Sequence, residues 1–386
     1  MQASYLPGVR VVVASDKFKG SLTSNQVAVA VREGVRRINP DAIVDSVPVA
    51  DGGDGTLAAA VAAGFDLIPV TASGPTGESI RTGYARRGDT AVVELADVSG
   101  LVRLPGGRPA PMTATSRGTG ELIAAAITSG CTRIILGIGG SATTDGGAGL
   151  VRALGAVVGD AEGGAALKSA DSLDLTALRE RLAGVEIVVA CDVDNPLTGP
   201  SGAAATYGPQ KGADPEQVAE LDAALTHWAD LVARETGRDL RDAPGAGAAG
   251  GVGFAALALL GAELRPGIEL MLDLVGFHRQ LTGADLVVTG EGALDEQTLH
   301  GKAVAGVAAA AGAAGVPVVA VCGTNQLDPD RLREAGITAA YALTDLEPDV
   351  RRCIAEPIPL LRRLGERIAA DHLPSSTMTT TERGVV

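Results

Sequence analysis

Polar side chains able to do chemistry gather in this chain where short apolar runs give way to glycine-rich turns. The densest string is CDVDNPLTGPSGAAATYGPQKGA, directly after VEIVV. Asp192 and Asp194 stand two apart in it, so on a continued strand both project from one face. There they can share a divalent cation through hard oxygen ligands, with Asn195 completing the shell. Tyr207, Gln210 and Lys211 punctuate a loop longer than a plain connection needs. After the run VVTG comes Glu291, then Asp295, Gln297, Thr298 and Lys302, which reads as a metal-and-phosphate corner or equally as a capped helix start. VVVASDKFKGSL places Asp16, Lys17, Lys19 and Ser21 after the first strand. Its lysines, with the N–H groups of a helix capped by Thr23 or Ser24, can hold an anion or line a solvated loop. PVADGGDGT brackets two glycines with Asp51 and Asp54, a combination that Asp-Gly turn chemistry and helix capping also explain.

Two further clusters are mostly glycine. GIGGSATTDGGAG, Gly137 to Gly149, follows the run IIL and precedes the helix-forming LVRALGAVV. A strand, then glycines, then a helix presents backbone N–H groups to anions, which makes Gly139, Gly140, Ser141, Thr143 and Asp145 candidates. Gly137, Gly139 and Ala142 fit a loose dinucleotide fingerprint but lack an acid at the end of a second strand. Gly245, Gly247 and Gly250 fit the stricter spacing but follow RDLRD, so close backbone approach or helix packing is the better account. No Walker loop exists: Gly301–Lys302 has Glu296 at the required glycine position. A nicotinamide oxidoreductase therefore lacks its motif, and a non-catalytic sugar-acid-binding protein leaves the clustered carboxylates unexplained.

The elements that must position these residues read as α/β. Continuous apolar strands (VRVVVAS, TRIILGI, VEIVVACDV, ADLVVTGEG, VPVVAVCGT, ITAAYALT) alternate with helical segments, which implies parallel strands covered on both faces. With 386 residues the chain exceeds one ordinary core. The pattern predicts two unlike α/β domains. One is Rossmann-like with a mainly parallel sheet and is assembled from residues 1–72 and 284–372. The other, 73–283, is inserted into it, beginning where TASGPTGESIRTGYARRGDTAVVEL turns to short strands with Gly and Pro turns. A polar, Thr-rich tail, 375–386, is expected to be disordered.

A formal net charge of −14 with no long basic run excludes general nucleic-acid binding. It also makes each lysine beside a glycine-rich turn more informative. Four scattered cysteines without a C-x-x-C pair argue against structural zinc and a disulfide framework. No signal-peptide pattern and no window near ~18 apolar residues is present, which predicts a cytoplasmic protein without a membrane partner. The sequence leaves the oligomeric state open, a homodimer included.

Jointly, DKFKGSL, PVADGGDGT, GIGGSATTDGGAG, CDVDNPLTGPSGAAATYGPQKGA, GAAGGVGF and TGEGALDEQTLHGK resemble the successive signature segments of the bacterial glycerate kinase family, in the family's order and over residues 15 to 303. The resemblance implies ATP-dependent phosphorylation of D-glycerate, Mg²⁺ dependence and two unlike α/β domains. It favours the 2-hydroxyl, with the 3-hydroxyl as the alternative. On that reading Asp192 with Asp194 or Glu291 takes Mg²⁺, and Lys17, Lys19 and Lys211 meet the substrate carboxylate or the transferring phosphate. Asp51 or Asp295 is the base, and the loops at Gly137 and Gly250 donate N–H groups. Lys17 stands where a serine is expected, Thr144 where asparagine is common and Ala293 where arginine is frequent, which leaves Lys302 as the nearby cation.

Overall fold

The computed structural model describes residues 8–159, 162–299 and 303–374; the Thr-rich tail and Lys302 lie outside the described residues. In chain order its strands are β1 (Arg10–Ser15), β2 (Ile43–Ser46), β3 (Asp66–Ser73), β4 (Ser79–Arg87), β5 (Thr90–Glu94) and β6 (Arg133–Gly137). There follow the two-residue strands β7 (Val157–Val158) and β8 (Leu173–Asp174), then β9 (Glu186–Ala190) and β10 (Glu263–Arg265). The last are β11 (Leu286–Leu294), β12 (Val318–Asn325) and β13 (Ala339–Ala342). The chain divides into two compact units, one made from Met1–Val49 and Leu272–Val386, the other from Ala50–Met271.

The first unit holds a sheet in the order β13-β12-β11-β1-β2, parallel throughout. β1 lies between β2 and a strand from the far end of the chain, with Val11 opposite Leu286 and Ala14 opposite Thr289. Val11 to Ala14 are wholly buried, as a strand covered on both faces requires. The helix Ser24–Ile38 starts at Thr23 with a capping box: Thr23 Oγ1 accepts from the Gln26 amide and the Gln26 side chain accepts from the Thr23 amide. Its apolar face packs the sheet and the helix Pro357–His372.

The second unit holds a sheet in the order β10-β9-β6-β5-β4-β3. Neighbours from β5 to β10 are parallel, whereas β3, β4 and β5 form an antiparallel meander. The meander realises the change of texture read at TASGPTGESIRTGYARRGDTAVVEL. β3 pairs with β4 along its whole length, from Asp66 opposite Arg86 to Ser73 opposite Ser79, so residues 66–73 belong with this sheet. The sequence reading put the joints at 72 and 284, and the contact pattern parts the units after Val49 and after Met271. Trp228 and Phe254 are fully buried in this unit's core.

β9 ends at Ala190, so Asp192 and Asp194 lie beyond the strand. The alternation that would set both carboxylates on one face therefore does not apply to them. The segment LVRALGAVV is helical only within Ala148–Ala153; Gly155, at φ +112°, ends the turn and Val157–Val158 becomes a strand.

Candidate active site

In the second unit the loop Asp51–Gly55 crosses the carboxyl ends of β6 and β9. The Gly139 amide donates to Gly52 O at 3.4 Å, and a Cβ on Gly52 would stand 2.4 Å from the Ala190 Cβ. At φ +87° and with no room for a side chain, only glycine serves at Gly52. Gly267, just after β10, is equally constrained, because a Cβ there would stand 1.9 Å from Asp51 O. That closeness lets the Gly267 amide donate to Asp192 Oδ1 at 2.7 Å. Asp51, Asp192 and Gly267 thus meet where ligands of open α/β sheets bind. Desolvation of the Asp192 carboxylate, and next the nearby Asp51 charge, push Asp192 up to about 6 against the opposing Gly267 hydrogen bond. The residue as a whole is solvent-exposed, so water screens part of that rise. Asp194 is exposed on the same loop, near Tyr207, whose hydroxyl donates to Asn195 Oδ1 at 2.6 Å.

Most other candidates of this unit form a buried knot. Asp145 is fully buried and accepts from the Ser116 amide at 2.8 Å, the Ser116 hydroxyl at 2.9 Å, and the amides of Gly147 at 3.1 Å and Gly149 at 3.2 Å. Thr143 Oγ1 donates to Ala114 O at 3.0 Å and accepts from the Asp145 amide at 3.1 Å. Lys211 is 2 % exposed, and its Nζ donates to Thr143 O at 2.5 Å. Burial pushes the Lys211 ammonium down to about 7, while Asp145 pulls it the other way. Gly250 O accepts from the Gly146 amide, and a Cβ on Gly250 would stand 2.0 Å from Thr143 O. Thr143 thus bonds to both Asp145 and Lys211, while Gly250 bonds to Gly146 and packs against Thr143. Within the glycine-rich loop Gly140 is exposed, Gly139 half-buried and Ser141 buried at the bridge with Gly100.

In the first unit, the Asp16 amide donates to Gly290 O at 2.8 Å, which sets the DKFK turn beside β11. Lys19 is exposed and Lys17 half-exposed. Glu291 lies in register with Cys322 of β12. Asp295 Oδ1 accepts from the amides of Gln297 at 2.8 Å and Thr298 at 3.2 Å, so this carboxylate caps the turn Glu296–Leu299, the structural one of its two readings.

A sequence profile described as the glycerate kinase family matches residues 11–373. The chain belongs to the glycerate kinase family. Glycerate kinase from Bacillus subtilis (strain 168) is 41% identical over 379 residues, spanning 96% of this chain and 99% of that protein. Glycerate 2-kinase from Escherichia coli (strain K12) is 44% identical over 345 residues, 87% of this chain and 90% of its own. The crystal structure of a glycerate kinase 2 from Salmonella typhimurium LT2 superposes with a TM-score of 0.82 at 42% identity, covering 94% of this chain and 98% of that one. As an enzyme of the glycerate kinase family the chain is a phosphotransferase.

One polar residue at this family member's candidate site escaped the sequence reading. Glu94, the last residue of β5, is 4 % exposed and accepts from the amides of Gly55 at 3.2 Å and Leu57 at 2.8 Å. Desolvation pushes its carboxyl up. The signal was available in DGGDGTL, since a helix that opens on glycine has no side chain of its own to cap it.

Among the described residues no group of three or more His, Cys, Asp or Glu side chains has the arrangement of a metal cage. Magnesium seldom uses one; it takes one or two carboxylates and completes its octahedron with water and phosphate oxygens. Asp51 and Asp192, two acids whose repulsion raises one of them, fit such an ion. No helix among the described residues is long and apolar enough to cross a membrane.

Proposed function

We propose that the chain transfers the γ-phosphoryl group of ATP to D-glycerate, at its 2-hydroxyl, with Mg²⁺. The observation that carries this reading is the Asp51–Asp192 carboxylate pair at the carboxyl ends of parallel strands in a member of the glycerate kinase family. The 2-hydroxyl is favoured by the similarity to a relative named glycerate 2-kinase.

Asp192 is the base. It takes the proton of the attacking hydroxyl while that oxygen bonds to the γ-phosphorus, and the bond from this phosphorus to the bridging oxygen breaks to release ADP. A carboxylate raised to about 6 is ionised at neutral pH yet a better proton acceptor than an ordinary aspartate. The Gly267 amide orients it. Asp51 would hold magnesium, with Asp194 as a further candidate ligand; the ion, when bound, would neutralise charge on the phosphate oxygens. The exposed Gly140 amide would donate to anionic oxygens of the substrates. Thr143, Asp145, Lys211 and Gly250 support that loop from behind.

Incubation with D-glycerate, ATP and Mg²⁺, following ADP release and then the product by phosphorus NMR, tests the reading. Glycerate-dependent ADP and 2-phosphoglycerate are expected. No glycerate-dependent ADP would overturn the activity, and 3-phosphoglycerate would overturn the position. Asp192→Asn is expected to abolish turnover with the fold intact, and near-normal kcat would remove Asp192 from the chemistry.

A further inference from the structure

Asp51 is only as well placed as the loop that carries it, and that loop has an unusual anchor. The helix Thr56–Ala62 starts at Gly55, whose φ of +104° suits glycine and provides no side-chain cap. Its first amides are bonded instead by a carboxylate from another element: Glu94 Oε1 accepts from Gly55 N at 3.2 Å and Oε2 from Leu57 N at 2.8 Å. Glu94 is in register with Gly137, the last residue of β6, so one side chain ties the sheet's carboxyl edge to the DGGDG turn. The rest of the turn is braced by Thr56 Oγ1 donating to Gly53 O at 2.7 Å and the Gly53 amide donating to Asp51 Oδ1 at 3.2 Å.

We propose that Glu94 is a positioning residue for phosphoryl transfer: by capping the helix after the DGGDG turn it fixes Asp51 beside Asp192. This rests on the phosphotransfer reading above. The buried cap is worth more than a surface hydrogen bond, because its acceptor is charged and both donors are amides of an otherwise uncapped helix end. The charged groups facing Glu94 are Asp54 and Asp97, and the one facing Asp192 is Asp51. With the cap lost, the Gly55 and Leu57 amides lose their acceptor, and the turn that carries Asp51 is free to shift from Asp192.

Glu94→Gln and Glu94→Ala in the full chain test this, with amide hydrogen exchange and steady-state kinetics that separate kcat from KM. Exchange over residues 51–57 is expected to rise about tenfold while the other segments keep their protection. The expected fall in kcat is about 10²-fold for Ala and smaller for Gln, which keeps one acceptor, with KM for ATP held within about twofold. Faster exchange with unchanged kcat would overturn the proposal and leave Glu94 a cap only; unchanged exchange would overturn it too. If neither variant folds, the unaltered protein decides. Slow exchange at the Gly55 and Leu57 amides upholds the tie, and fast exchange rejects it. Absence of glycerate-dependent ADP in the unaltered protein would count against the phosphotransfer reading, while exchange over 51–57 still judges the Glu94 tie.

Discussion

Two acids set close enough to feel each other make a pH-tuned base, and the tuning is separable from the base itself. With Asp192 as the proposed base, activity is expected to rise with pH through about 6, because the carboxyl must lose its proton before it can accept one. Asp51→Asn removes an upward push, so the acid limb of kcat/KM moves below that of the unaltered enzyme. An unmoved limb in a pH titration of the rate would separate Asp51 from this ionisation. Lys211 behaves oppositely, as a buried cation. Its ordinary value is 10.5 and burial brings it to about 7, so between these the unfolded chain holds a proton the folded chain lacks. Stability owed to this group therefore rises with pH across that window. The difference in melting temperature between the unaltered protein and Lys211→Met is expected to grow in favour of the former from about pH 7 to about pH 10. The sequence singled out Asp51 and Asp192 from their places after apolar runs, but not that the two acids come near each other or that Gly267 bonds Asp192. The interior position of Lys211 was not legible either. Its partner Thr143 lies 68 residues away, and local spacing cannot show which polar residues bond each other.

Whole elements obeyed local rules where apolar runs were long and failed where glycine intervened. β1, β6, β11 and β12 follow their runs of Val, Ile and Leu, and Thr23 caps its helix as its type predicts. β9 stops short of Asp192, because the chain there turns to bond with Gly267, a tertiary contact with no local signature. Helix pairing shows the same limit. Gly34 on Ser24–Ile38 faces Pro357–His372 so closely that a Cβ would stand 2.0 Å from Arg362 O and 2.9 Å from the Glu366 amide. In an isolated helix Gly→Ala gains about 1 kcal/mol. Here the inserted methyl meets backbone, which cannot rotate away, and overpacking costs about 1–3 kcal/mol. Gly34→Ala is therefore expected to lower the denaturant midpoint, and a raised midpoint would show that the two helices separate freely.

At the scale of the molecule, an excess of acids works against the anionic substrates proposed for it. With a formal net charge of −14, the protein repels glycerate and ATP over distances that salt shortens, from about 30 Å at 0.01 M to about 10 Å at 0.1 M. kcat/KM for the acid is expected to rise about twofold over that range, and a fall would show that nearby lysines outweigh the net charge. The two-part α/β organisation was readable from alternating runs, because continuous apolar strands demand cover on both faces. Where one part yields to the other was harder to read, since β3 declares its allegiance only by pairing with β4. The placing of β1 against β11 has a consequence for the chain's birth. Ser15 and its partner Gly290 are 275 residues apart, and a ribosome adding about 5–20 residues per second needs about 14–55 s to supply the second after the first. The unit spanning Ala50–Met271 is complete by then, whereas the valines of Arg10–Ser15 emerge early and wait with one flank bare. Nascent chains arrested with residue 271 just outside the exit tunnel are expected to resist protease across 50–271 and still be cut near β1.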